Sequence, residues 1–345
     1  MNKLERVSRA ICAEIASGKI PPGGKLPTYD ELERIHKVSY ITINACMKLL
    51  KSSGMVIGRE RAGVFVSERP PILNRFAMIF PKEEKVSLSA NRFLQTMLKI
   101  LGGESAKRKL EFEIFQDFEP HVDNPDCQKL VSEISGMRIG GVVHISMPCL
   151  PNACEILHFP GIPVINGSTC MKFDQKAYVG KSCDYLLSRR KKRIAVLFQG
   201  EQAMKIMLGK FLEKRDSSGM ESPDHWFIPI GTDTREGAGK ITRILLDGPR
   251  DRRPNGLIIA DDNLVDYALG GVFLSRVKVP EELEIVAHCN WPNPVTSVMP
   301  VKRLGYDIRK ALSVIIDALL ESKGRSGLQD MESIPLVPLF EEELP

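Results

Sequence analysis

Seven short apolar runs constrain this chain most: RFAMIF (75–80), LEFEIF (110–115), GVVHIS (141–146), PVING (163–167), RIAVLF (193–198), GLIIA (256–260) and LEIVAH (283–288). Each has strand length, and amphipathic stretches of helical spacing lie between nearly every pair. Strands that are apolar on both sides need cover on both faces, and alternation with helices is the pattern of parallel sheets flanked by helices. The expected fold class is α/β, with doubly wound parallel sheets after about residue 75. A chain of 345 residues is long for one domain and suits two or three.

The first seventy residues read differently. Leu4, Val7, Ile11 and Ile15 mark an amphipathic helix that Gly18 ends, and IPPGGKLP cannot continue it. Thr28 followed by Glu31 has the form of a capping box, with Leu32 and Ile35 as the apolar row of a second helix that turns near Lys37. Ser39 is the expected N-cap of a third helix, stopped by Gly54. Its residues Ile43, Cys46, Met47 and Leu50 fall at i, i+3, i+4, i+7, so that face must be buried. Tyr40, Asn44, Lys48 and Lys51 then point outward together. MVIGRERAGVFVSE reads as a β-hairpin with a basic tip. Three helices and a two-stranded wing make a winged helix-turn-helix, whose third helix enters the DNA major groove.

Charge agrees. Residues 1–70 hold twelve Lys and Arg against seven Asp and Glu, so the whole net charge of +5 sits there. The eight cysteines form no C-x-x-C pair and no cluster at metal spacing, which leaves them as small buried hydrophobes in a reduced, cytoplasmic setting. The amino terminus lacks a signal-peptide core, and no run approaches the ~18 apolar residues of a membrane span, so no membrane partner is expected. No G-x-G-x-x-G follows the first strand, and no P-loop, Ser/His/Asp or H-E-x-x-H arrangement occurs. A nucleotide-binding enzyme is disfavoured, and no cofactor or metal is expected. SRRKKR (188–193) and FEEEL near the carboxyl terminus read as solvated segments.

The order I-x-S-G-x-I-P-P-G-x-x-L-P-T, E-L, V-S-x-x-T-I, G-M-V and G-V-F-V over residues 4–66 resembles the DNA-binding head of the gluconate-repressor (GntR) family of bacterial regulators. That family usually has Arg where this chain has Asp30, Tyr40 and Asn44, so operator preference should differ. Tyr40 within V-S-Y-x-T is instead similar to the equivalent helix of lactose-type repressors. Asn44 suits a bidentate contact with adenine N6 and N7. Asp30 cannot serve a phosphate. Positioning contacts are expected from the Thr28 helix N-terminus, Ser39, Thr42, Lys48, and Arg59 and Arg61 in the wing, with Tyr29 and Gly63 beside them.

The remainder resembles the effector domain of the lactose/galactose-repressor (LacI/GalR) family, itself similar to periplasmic sugar-binding proteins, in its order of elements, the turn VKVPEELEIVAHCNW and the later SVMPVKRLGYDIRKALSVIIDALL. The likeness implies two lobes joined by three crossovers near Gly167, Asn290 and Lys323, with a small ligand at the carboxyl ends of strands. It divides the chain into a head (1–68), a linker (69–75) and an effector domain (76–345). A GntR-type head on a LacI-type body is the layout of bacterial arabinose repressors.

By the same likeness the ligand is contacted by Asp261 or Asp262, from ADDN. The usual F-D-D reads H-C-N-W here, which puts Asn290 and Trp291 in its place, Trp291 either stacking on a sugar ring or packing in the core. Lys205 approximates the arginine of a missing R-x-x-G, and Ser87, Ser146 and Gln199 follow strand ends. The helix of residues 89–101 belongs to the dimer surface by family likeness.

The expected function is a cytoplasmic, ligand-responsive regulator, a repressor of a carbohydrate-related operon that binds double-stranded operator DNA as a homodimer and a small-molecule effector. Two rivals compete with it: a solute-binding module without regulatory output, opposed by the head and the missing signal core, and a sugar-acting α/β enzyme with a regulatory head, opposed by the absent motifs.

Overall fold

The computed structural model describes residues 2–81, 91–118, 123–145, 162–199, 201–231, 234–329 and 331–345, with 81 and 201–204 by backbone alone. These residues group into two compact units. The first comprises Met1–Lys82, Leu101–Cys170 and Leu312–Ser333; the second comprises Glu83–Ile100, Met171–Ala311 and Ile334–Pro345.

The first unit opens with α1 (Lys3–Ala16), α2 (Tyr29–His36), α3 (Tyr40–Ser52) and the hairpin β1 (Val56–Arg59) and β2 (Gly63–Val66). Each boundary has a local cause. Asn2 and Glu5 form a capping box on α1, and Gly18 takes the left-handed turn beyond its end at φ 77°. Thr28 and Glu31 form a second box on α2, which Lys37 closes in the left-handed region at φ 52°. Val7, Ile11, Ile15, Leu32, Ile43, Cys46, Met47 and Leu50 then bury together, as the helical spacing requires. The hairpin pairs Val56 with Val66 and Arg59 with Gly63, and Lys25 bridges Phe65 from its other side.

The segment expected as a linker is structured. Pro71–Asn74 forms a short helix, α4, and Ile72 is buried in the same core as the three head helices. Ile72 and Leu73 carry apolar surface that a solvated tether would leave in water. β3 (Arg75–Pro81) follows at once.

The next elements are α5 (Arg92–Lys107), β4 (Glu111–Phe118), α6 (Pro125–Ser135), β5 (Val142–His144), β6 (Pro163–Asn166), β7 (Met171–Phe173), α7 (Gln175–Ser188), β8 (Ile194–Gln199), α8 (Glu201–Ser218) and β9 (Phe227–Ile230). After them come α9 (Gly237–Leu246), β10 (Gly256–Ile259), α10 (Asp262–Ser275), β11 (Glu284–Trp291), β12 (Lys302–Asp307), α11 (Ile308–Glu321), β13 (Gly327–Gln329), β14 (Ile334–Leu336) and β15 (Leu339–Phe340). The first unit holds a five-stranded sheet in the order β13-β6-β5-β3-β4, parallel throughout. The second holds a six-stranded sheet, β15-β12-β11-β10-β8-β9, parallel except for β15, and the small pair β14-β7.

All seven apolar runs are strands. β7, β9 and β12 to β15 gave no comparable signal, being two to four residues long or, for β12, interrupted by Lys, Arg and Gly. The chain passes between units five times, after Lys82, Ile100, Cys170, Ala311 and Ser333. Asn290 lies inside β11 and Lys323 between α11 and β13, so the fourth passage is made within α11 itself.

Candidate nucleic-acid interface and effector site

On α3 the apolar spacing turns Tyr40 outward, 53% exposed, with Lys48 and Lys51 exposed and Asn44 half-buried along the same side, while half-buried Thr42 lies on the other flank of the helix. The Tyr40 ring lies 5.8 Å from that of Tyr29, which joins α2 to the surface. Ser39 occupies the N-cap position, yet its hydroxyl caps no backbone N–H and lies 3.3 Å from the Thr42 hydroxyl. The first amides of α3 are therefore left for an outside acceptor.

Thr28 behaves otherwise. Its N–H and hydroxyl both donate to the Glu31 carboxylate, at 2.7 and 2.8 Å, which holds that carboxyl below its ordinary pKa. The Glu31 carboxylate therefore stands beside the α2 N-terminus where a phosphate contact is expected, and its charge opposes an incoming anion.

In the wing, Arg59 lies over the Phe65 ring at 4.5 Å, while exposed Arg61 takes φ 57° at the tip. Gly63, at φ 113°, brings the strand back beside Lys25, and a side chain there would crowd that lysine. Lys25 was not among the expected contacts; its position between a Gly pair and buried Leu26 is the signal that could have placed it.

In the second unit the chain runs from β8 to β9 and then back to β10 on the other side of β8. Such a switch opens a crevice at the carboxyl ends of the strands. Asp261 caps α10, accepting from the Asn263 backbone and side-chain nitrogens at 2.9 Å each. Asp262 begins the helix, is buried, and accepts 2.5 Å from Asn290 Nδ2 at the end of β11. Burial first, and the Asp261 charge second, push the Asp262 carboxyl up to about 7, against the Asn290 hydrogen bond. His288 Nδ1 stands 3.9 Å from Asp262 and has no hydrogen-bond partner; burial lowers its pKa to about 4, so it is neutral near pH 7. Two residues apart on a strand, His288 and Asn290 share a face, a periodicity that could have singled out His288. Below them, Tyr178 donates to the Ile259 carbonyl at 3.2 Å, and its ring lies 5.4 Å from His288. Arg92 also joins this corner: its backbone N–H donates to Asn263 Oδ1 at 3.1 Å and its guanidinium pairs with Asp266.

Asp262 and Asn290 are thus brought together. Gln199 ends β8, with its amide donating to the Gly231 carbonyl at 3.3 Å. Lys205 is exposed on α8. Ser87 and Ser146 lie outside the described residues. Of the two expectations for Trp291, the structure has the core one and not the ligand contact: it is 3% exposed and its indole N–H donates to the Leu339 carbonyl at 3.1 Å. Successive strand residues face opposite ways, so Trp291 cannot share the Asn290 side. Among the described residues no three His, Cys, Asp or Glu side chains could hold a metal ion, and no helix is long and apolar enough to cross a membrane.

Residues 3–66 match the model of a family described as bacterial regulatory proteins, gntR family. Over 99 residues the chain is 25% identical to the uncharacterized HTH-type transcriptional regulator YdcR of Escherichia coli (strain K12), spanning only 21% of that protein's length. Over 306 residues it is 19% identical to the arabinose metabolism transcriptional repressor of Geobacillus stearothermophilus, covering 82% of this chain and 81% of that one. Among solved structures it resembles a regulatory protein of the LacI family from Chloroflexus aggregans (TM-score 0.56, 18% identity, 77% of this chain and 96% of that one). A LacI family transcriptional regulator from Lactobacillus casei with bound sucrose gives a TM-score of 0.54 at 14% identity, over 78% and 98%.

Proposed function

We infer function from the layout of a gntR-type winged helix-turn-helix joined to a body with the LacI-regulator fold. We propose that the chain is a ligand-responsive transcription regulator, a cytoplasmic homodimeric repressor of a carbohydrate-related operon, rather than an enzyme. The head (1–68) reads operator DNA with the Tyr40–Lys48 face of α3 and the Arg59–Arg61 wing; the body (76–345) takes a small molecule at the Asp262–Asn290 corner. Gln199 and Lys205 are candidates for further effector contacts. The observation that carries the reading is α3, whose apolar row is buried while Tyr40, Asn44 and Lys48 align toward solvent. The likeness to an arabinose metabolism repressor, over 82% of this chain, supports the carbohydrate link.

A surface of the second unit supports the dimer. From Tyr267 to Ser275, α10 carries no charged residue, and Ile244 and Phe273 are 74% and 70% exposed, with Tyr267 and Leu274 beside them. A helix apolar on its outer side as well as its inner one asks for a second partner. Exposed Lys240 and Arg243 on α9 and Asp266 on α10 give the patch both signs, as a self-complementary contact needs.

For ligand to act, it must bind one state of the chain better than another. The test is a gel shift with the DNA upstream of the protein's own gene, repeated with arabinose, sucrose and glucose. A shifted band that one sugar alters is expected. Absence of any shift sinks the regulator reading, and consumption of a sugar favours the enzyme.

A further inference from the structure

The head is not separated from the first sheet by a solvated tether. Cys12 of α1 donates to Met137 Sδ at 3.7 Å, and Ile72 of α4 and Met137, at the turn after α6, are buried in the head's own core cluster. A cavity of about 30 Å³, the room of one water, marks the seam between Cys12, Ala13 and Ala16 on one side and Ile134, Met137 and Ile139 on the other. On the same seam, Lys323 donates from Nζ to the Leu73 carbonyl at 2.8 Å and lies 5.7 Å from the Phe76 ring. Gly324 next to it turns at φ 79° against Ala16. Lys323 follows directly on α11, whose first residues, Ile308–Ala311, belong to the second unit and whose remainder belongs to the first. Arg108, just beyond α5, fastens α11 by donating to Ser313 at 2.6 Å and pairing with Asp317.

We propose that Lys323 is a positioning residue that clamps the DNA-reading head to the first sheet, so that any shift of α11 reaches the head through Lys323 and Leu73. The ammonium supplies a charge-assisted hydrogen bond to a carbonyl of α4, and its half-buried stem packs on Phe76. Since α4 shares the head's core, moving Leu73 moves α1 with it. The regulatory use of the clamp rests on the DNA-binding reading; the clamp itself does not.

The test uses the full chain. A Cβ added at Gly324 would stand 3.7 Å from Ala16 Cβ, within the range a disulfide bridges. Ala16→Cys with Gly324→Cys, treated with oxidised glutathione, is expected to form an intrachain link, identified from the mass of the joined peptides. Adding Lys323→Met should slow linking at least tenfold, and Lys323→Arg, which keeps a donor, should restore it. Because cysteine at a left-handed glycine position is strained, amide exchange of residues 12–16 and 72–74 in the single Lys323→Met variant is the second measurement. At least tenfold faster exchange there, with β5 and β6 unchanged, is expected. Unchanged exchange and linking rates overturn the role of Lys323, and failure to link together with unprotected amides at 72–74 in the native chain overturns the docking. On upstream DNA, five base pairs inserted between half-sites should weaken the native protein at least tenfold more than Lys323→Met. Equal loss for both would overturn the coupling. A chain that links as expected but binds no DNA would instead sink only the regulator reading.

Discussion

The proposed DNA-reading face and the proposed effector corner are built in opposite ways. Most of the head's outward groups come from one helix, where a single period assigns Tyr40, Asn44 and Lys48 to the surface and Ile43, Met47 and Leu50 to the core. The corner of the second unit draws Asp261 and Asp262 from α10, His288 and Asn290 from β11, Tyr178 from α7 and Arg92 from α5, residues far apart in the chain. Local spacing therefore decides the first site, whereas tertiary topology decides the second. Substitutions should expose that difference, because one core residue of α3 supports the whole reading face and no single residue supports the whole corner.

The largest effect is expected from Met47→Ala. Met47 is fully buried under Tyr40 and Asn44, and truncating a buried Met costs about 2–5 kcal/mol. Amide exchange should rise across α1 to α3, with operator binding lost, while β8, β10 and β11 keep their protection. Equal loss of protection in both regions would erase the distinction between them. Asn44→Ala tests the reading face without disturbing the core: it should cost about 1–3 kcal/mol and relax preference at one base pair, whereas Lys48→Ala should weaken all sequences alike and lower the salt slope by about 1. Uniform weakening by Asn44→Ala would reassign that side chain to the DNA backbone.

A smaller net effect is expected from pH, because two groups at the corner pull against each other. Asp262 has its pKa raised from 3.8 to about 7, so its contribution is fully present below pH 3.8 and is lost as pH rises through 7. His288 has its pKa lowered from 6.5 to about 4, so its contribution is present above pH 6.5 and is lost as pH falls through 4. Between pH 4 and 6.5 the two slopes oppose. Asp262→Asn should leave a second unit whose stability rises with pH across that window, and His288→Gln one whose stability falls, read by exchange at β11. Slopes of one sign in both variants would mean that the corner is wetter than its burial implies.

How far the sequence could be read follows the same division. The seven apolar runs and the capping signals at Thr28 and Gly18 placed most of the fold, since each depends on neighbours within a few residues. At Thr28 the capping box was legible, but its motif does not say whether a phosphate also meets that helix end, since that depends on a partner outside the chain. The structured stretch at Ile72 was hidden because burial of two apolar residues depends on Met137, which lies far along the chain. At the corner, Asp262 and Asn290 came through the likeness to known regulators, while His288 needed the strand's alternation and Arg92 had no sequence signal.

The smallest expected effect separates Asn290 from its neighbour. Trp291 and Asn290 are adjacent, but only Asn290 holds Asp262, and Trp291 spends its N–H on the Leu339 carbonyl across the core. Trp291→Phe keeps an aromatic ring and removes one neutral hydrogen bond, which is worth about 0.5–1.5 kcal/mol net. It should also loosen β15, where Leu339 resides, with a modest rise in exchange there. Affinity for whichever sugar alters the operator complex should stay within about twofold, because the indole lies on the opposite side of β11 from the carboxylate. Asn290→Leu in the same titration should weaken the response well beyond twofold, since it strips Asp262 of its donor and leaves a buried carboxyl unpaired. A Trp291→Phe protein that folds normally yet loses sugar binding would put the indole back among the effector contacts and turn the strand's sides around.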